Sequence, residues 1–260
     1  MSGAKRQENL AVVALHGLPE VTGLALKESE RNEPAEGWDV EVGNQAAVDA
    51  GVRYVRHNVA VSFPGDIHSH DYELRRPAEL LRLAKDRNTV LDVHDRPTAT
   101  GEYVLINPES DRQLLRVAKA LVVGTVVLTR QSEPFVSHAP NVLTTELCRA
   151  NEPGKSDRIA RNVARLRYCM RLVTQGTLPD ASPSEFRYYE LVQEIHSAQA
   201  EALGLYGMGT LAPFDPIPPE IIKRLDLPEG DYAAQYWNGH NSSEGEWFGG
   251  VLQAIKSPFD

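Results

Sequence analysis

Leu10-Ala11-Val12-Val13-Ala14-Leu15, closed by His16-Gly17, is an unbroken apolar run with no polar alternation. A stretch this short and uniform reads as a parallel strand buried on both faces, its carboxyl end opening into a loop. His16 then stands at the edge of a sheet. Residues 89–93 (TVLDV, before His94), 121–128 (LVVGTVVL) and 142–147 (VLTTEL) read the same way. Between these runs, residues 45–51, 72–87, 111–120 and 156–175 carry helical patterns. In the last, Ile159, Val163, Leu166, Met170 and Val173 recur at three- and four-residue steps behind a capping Ser156 or Asp157. Strands alternating with helices predict an α/β fold with a largely parallel sheet. Ligands of such folds gather at the carboxyl ends of strands, where His16, His94 and Glu146 all fall.

The chain of 260 residues is long enough for one large domain with a small appendage. Residues 176–184 (GTLPDASPS) read as a linker, and residues 213–219 (PFDPIPP) as a second proline-dense loop. The expected division is an α/β domain over residues 1–178 and a C-terminal section over 179–260 that packs on it and shapes the pocket. That section opens with an amphipathic segment, residues 186–203, and ends in turn-rich sequence with short strands around Trp237, Trp247 and Phe248.

Hydrophobic residues at 42% and charged residues at 24% are those of a soluble globular protein. The formal charge of −9 argues against a nucleic-acid binder, which needs a concentrated basic surface. The polar N-terminal residues and the brevity of the first apolar run predict neither a signal peptide nor a membrane span, hence a cytoplasmic protein with no membrane partner. A small molecule is the expected partner, and the sequence leaves homo-oligomer formation open. Cys148 and Cys169 have no CxxC spacing, so a bound metal would have to be held by histidine and carboxylate.

His16 and Glu20 share a loop after one strand, and His94 follows Asp92 on another. Two imidazoles and a carboxylate suit a catalytic zinc, because three protein ligands leave a fourth position for water. Asp92 is the candidate to orient His94, although two residues apart on a strand the two side chains share a face. Taken alone the His-x-x-x-Glu spacing is weak, since a strand-end histidine is more often structural.

Several stretches in order make a more specific pattern. His16-Gly17-Leu18-Pro19-Glu20, Gly43-Asn44-Gln45-Ala46-Ala47, Arg53-Tyr54, residues 58–65 (NVAVSFPG), residues 72–80 (YELRRPAEL), Asp92-Val93-His94 and Thr145-Glu146-Leu147 together resemble the succinylglutamate desuccinylase/aspartoacylase family, zinc carboxypeptidase-like enzymes. The resemblance covers roughly residues 10–150 in good order and the rest more loosely, and it implies a carboxypeptidase-like mixed, mostly parallel sheet flanked by helices. It implies one Zn(2+) ion held by His16, Glu20 and His94, with Glu146 moving the proton between water and the leaving amine. It further implies Arg53 polarising the substrate carbonyl, Asn44 beside it in substrate binding, and a small acylated molecule as substrate.

Two departures stand out. Pro19 occupies the position of the usual zinc glutamate, so Glu20 reaches the metal across a one-residue insertion, or the site is a weak two-histidine one, or it is empty. Asn58, Ala60 and Val61 occupy the positions of the family's Asp, Asn and Arg, and alanine and valine cannot form a bidentate carboxylate clamp. Arg56, Arg96 and Arg130 are the candidate substitutes. The expected function is therefore zinc-dependent hydrolysis of an acyl-amide bond with altered substrate recognition. The rivals are an inactive binding or regulatory homologue and a zinc-dependent esterase or acyl transferase. His57, His68, His70, His138 and His196 are left outside the site.

Overall fold

The computed structural model describes residues 10–14, 21–34, 37–96, 101–129, 134–148, 155–206, 211–235, 237 and 247–259. The apolar run that opens the fold is β1 (Leu10–Ala14), and all five of its residues are fully buried. It is followed by α1 (Val21–Asn32), β2 (Trp38–Val42), α2 (Gln45–Ala50), a 3-10 turn at Val59–Val61, α3 (Tyr72–Lys85), β3 (Thr89–Arg96) and β4 (Tyr103–Ile106). Next come α4 (Gln113–Ala120), β5 (Thr125–Leu128), α5 (Pro134–His138), β6 (Val142–Cys148), α6 (Lys155–Thr174) and β7 (Arg187–His196). The chain closes with α7 (Ser197–Ala202), α8 (Pro219–Arg224), β8 (Tyr232–Ala234) and β9 (Trp247–Ile255).

The strands form one sheet in the order β2-β1-β3-β6-β4-β5-β7-β9-β8. Pairings β1–β2, β1–β3, β3–β6, β4–β5 and β5–β7 are parallel, whereas β6–β4, β7–β9 and β9–β8 are antiparallel. The mixed, mostly parallel sheet expected from the sequence is the one observed. Because side chains alternate along a strand, each core strand feeds two apolar layers. Leu10, Val12, Leu91 and Val93 pack with Leu26 of α1 and with Leu166, Cys169 and Met170 of α6. Ala11, Val13 and Val90 face the other way, with Val59, Ala60, Leu80 of α3, Tyr103 and Phe135 of α5.

Three local readings shift. Residues 121–128 are not one strand: Leu121 ends α4, Val122 turns at φ +55°, and only Thr125 onward pairs. β3 continues to Arg96, which puts His94 inside the strand instead of just beyond it. The amphipathic segment 186–203 divides into β7, whose buried Tyr188, Leu191 and Ile195 fall three and four residues apart on a strand with register shifts against β9, and the short α7. From residue 187 onward the chain adds β7, β9 and β8 to the same sheet, and the stretch before it is fastened to α4. There Arg116 donates to the Pro179 carbonyl at 3.1 Å, and the Lys119 ammonium to that of Asp180 at 2.7 Å. Trp237, Phe248 and Tyr232 are buried in a third apolar cluster with Ile195 and Ile221, and the Trp237 indole N–H donates to the Gly250 carbonyl.

Neither cysteine forms a disulfide and both are buried, and burial pushes the Cys169 thiol up to about 12, which leaves it protonated and unreactive. Among the described residues no helix is long and apolar enough to cross a membrane.

Gly23 governs how α1 lies on the sheet. A Cβ there would come within 2.5 Å of the Ala14 Cβ, so only glycine admits this approach. Gly23→Val is expected to destabilise the fold by about 1–3 kcal/mol through overpacking. An unchanged denaturation midpoint would show that α1 is free to retreat.

Candidate active site

The site is a register feature of β3 and β6. Parallel pairing sets His94 opposite Glu146, and antiparallel pairing sets Tyr103 of β4 on the other side of Glu146. Neighbouring strands lie about 4.8 Å apart, so the imidazole and the carboxylate are next-door neighbours on one face. His94 is 7% exposed and Glu146 5% exposed. Because Val90 belongs to the layer with α3 and α5, the alternation places Asp92 and His94 on that same side.

Asp92 lies behind His94. Its Oδ2 is 3.0 Å from His94 Nε2 and accepts the Thr144 hydroxyl at 2.9 Å, whereas its Oδ1 has no hydrogen-bond partner among the described residues. A buried carboxylate holding one ring nitrogen fixes an imidazole's tautomer and aim, the arrangement that supports metal-ligating histidines. The neighbouring Asp95 points to the opposite face, where its Oδ2 accepts the Thr22 N–H at 2.7 Å and so caps the start of α1.

His16 and Glu20, two of the three expected metal ligands, lie outside the described residues. The described chain on either side of them ends beside His94: Ala14 pairs with Val93, and Thr22 is held by Asp95. No group of three His, Cys, Asp or Glu side chains gathers as a ligand set among the described residues. Of the expected ligands the structure places His94, and its donor chemistry and carboxylate support fit a zinc ligand.

Arg53 is exposed, on the turn that follows α2. That turn leads to Val59 and Ala60, which pack into the layer containing Tyr103, so Arg53 belongs to a loop seated on the His94–Glu146 side of the sheet. Asn44 is fully buried; its side-chain oxygen caps α2 by accepting the Ala47 N–H, and its amide donates to Glu73 at 2.6 Å. Both ends of this side chain are thus committed to the scaffold.

Among the candidate replacements for the carboxylate clamp, Arg56 is exposed and 3.8 Å from Asp71, while the Arg96 side chain and Arg130 lie outside the described residues. Ala60 is buried and Val61 65% exposed, and neither offers a charge. His57, His68, His70, His138 and His196 are exposed.

Two contributors were not legible in the sequence reading. Glu73 looked like one more charged helix residue but is 2% exposed and central to the Arg53 loop. Phe214, from the proline-dense loop, meets Tyr103 edge-to-face at 5.6 Å and Tyr189 at a tilt at 4.9 Å between ring centroids, and holds φ +70°. It brings the chain's C-terminal part against the strand next to Glu146. A positive φ on a bulky residue persists only where its surroundings enforce it.

For a zinc ion on His94, as the resemblance implies, Asp92→Asn is expected to weaken binding by roughly 10- to 100-fold, because the amide cannot hold the His94 ring as the carboxylate does. Titration with a competing chelator measures this, and unchanged affinity would remove Asp92 from the site.

Neither protein-family models nor curated proteins match the sequence. Solved structures do. A succinylglutamate desuccinylase from Chromobacterium violaceum superimposes with a TM-score of 0.68 at 18% identity, covering 96% of this chain and 86% of that one. Murine aminoacylase 3 gives 0.64 at 14% identity, with coverage of 98% and 99%. The product-bound ectoine utilization protein EutE (DoeB) from Ruegeria pomeroyi gives 0.59 at 16% identity, with coverage of 94% and 85%. The chain therefore has the fold of the succinylglutamate desuccinylases and aspartoacylases.

Proposed function

We propose that this protein hydrolyses the acyl-amide bond of a small acylated molecule, using one zinc ion held by His16, Glu20 and His94. The observation that carries the reading is the pairing of His94 with Glu146 across β3 and β6, with Asp92 buried behind the histidine, in a fold shared with deacylating enzymes. When bound, zinc polarises a carbonyl and makes water acidic enough to attack it near neutral pH. Glu146 takes the proton from the attacking water and delivers it to the departing amine nitrogen, a transfer that needs a carboxylate within hydrogen-bond reach. Arg53 supplies fixed positive charge where the carbonyl oxygen becomes an oxyanion. Asn44 acts behind Arg53, through Glu73, instead of touching the substrate.

Substrate recognition differs from that of enzymes with an Asn-Arg clamp, because Ala60 and Val61 leave a carboxylate no fork to pair with. Zinc content of protein purified without chelator, followed by a panel of amides and esters with and without carboxylates, tests the reading. Zinc near one ion per chain and amide cleavage support it. Substoichiometric zinc without hydrolysis favours an inactive binding homologue, and zinc with cleavage of esters alone favours the esterase.

A further inference from the structure

The loop carrying Arg53 is gripped by a buried carboxylate. Glu73, on the first turn of α3, accepts the N–H of Val55 at 2.7 Å with Oε1, and the N–H groups of Arg56 and His57 at 2.6 and 2.7 Å with Oε2. Its Oε1 also receives the Asn44 amide at 2.6 Å. Consecutive N–H groups converging on one carboxylate fix the path of the loop, since turning any of these peptides would strand a buried negative charge. Burial works against the charge, but the Asn44 amide and the backbone donors outweigh it and hold the Glu73 carboxyl below the usual range.

The anchor is itself tied to the site strands. Gly43 donates to the Ala14 carbonyl at the end of β1, and Arg76 of α3 donates to the carbonyls of Val42 and Gly43 at 3.0 and 3.1 Å while pairing with Glu41 at 2.9 Å. A continuous set of hydrogen bonds therefore runs from the end of β1 through Gly43, Asn44 and Glu73 to residues 55–57, two positions beyond Arg53.

We propose that Glu73 is the positioning residue for the Arg53 guanidinium, setting where positive charge meets the substrate carbonyl without itself touching substrate. The proposal rests on the hydrolytic reading above. A misplacement of about 1 Å in a reacting geometry costs on the order of 10²-fold in rate, and the loss of one oxyanion donor about 10²–10³-fold in kcat. Glu73→Gln keeps the size of the side chain but removes its charge and turns one acceptor into a donor facing N–H groups.

The test compares wild type, Glu73→Gln, Arg53→Ala and the double variant on whichever amide of the panel the wild type cleaves fastest, together with amide hydrogen exchange over residues 55–57. Glu73→Gln should lower kcat by roughly 10- to 100-fold with KM little changed, and the double variant should be no worse than Arg53→Ala alone. Exchange at residues 55–57 should accelerate while the centre of α3 stays protected. Additive losses, a full-rate Arg53→Ala, or unchanged exchange in Glu73→Gln would each overturn the proposal. Should Glu73→Gln fail to fold, Asn44→Ala takes its place, removing one donor to Glu73 and leaving the backbone grip; its kcat loss must also vanish in the Arg53→Ala background. A wild type that cleaves no amide sinks the hydrolytic reading instead, and the exchange result still decides whether Glu73 sets the loop.

Discussion

Glu146→Gln is expected to abolish turnover while the zinc content stays that of the wild type. Glutamine matches glutamate in size, and β6 is buried along its whole length, so the substitution alters chemistry more than packing. What is lost is the ability to take and return a proton, a contribution of about 10²–10⁴-fold to such reactions. The proposed ligand set does not include Glu146, so metal retention separates a missing base from a missing metal. The measurement is kcat and metal analysis on one preparation. Turnover at the wild-type rate would reject the proposed mechanism outright, and a joint loss of zinc and activity would recast Glu146 as a ligand.

His94→Ala is the second large effect: zinc should fall well below one ion per chain, and turnover should disappear with it. Affinity for zinc follows ligand count and geometry, and His94 is the proposed ligand that the structure describes, with Asp92 at 3.0 Å and Thr144 bonded to Asp92 in turn. Its removal also leaves a buried carboxylate facing a void, so thermal stability should drop in the apo protein as well. Metal analysis after dialysis, with melting curves with and without added zinc, distinguishes the two consequences. Wild-type zinc content in His94→Ala would mean that the ion sits elsewhere.

Glu73 also makes stability depend on pH. Its folded carboxyl is held below the usual glutamate range, so the stability it contributes is present above that range and is lost as pH falls through the lower folded value. An acid-unfolding profile of Glu73→Gln should therefore be flatter below about pH 4.5 than that of the wild type.

The order of elements over much of the first half was legible because burial leaves simple periodic marks. A strand paired in parallel on both sides must be apolar throughout, as Leu10 to Ala14 is. A helix lying on a sheet must repeat its apolar residues every three to four positions, as Leu166, Met170 and Val173 do. β4 left no such mark, being only Tyr103–Ile106, and neither did β8 at Tyr232–Ala234. Strands this short owe their conformation to the partners that hydrogen-bond them.

The sequence by itself determined that Asp92 and His94 share a face, since alternation along a strand is local geometry. It could not determine that Glu146 is the residue beside His94. Register between β3 and β6 joins positions some fifty residues apart, and a slip of one residue would have turned every side chain of β6 to the other face. Only the tertiary structure decided that Glu73, one carboxylate among many, would be buried under the loop after α2. Charge and spacing are read along the chain, but a hydrogen bond to a backbone N–H exists only once both segments have been brought together.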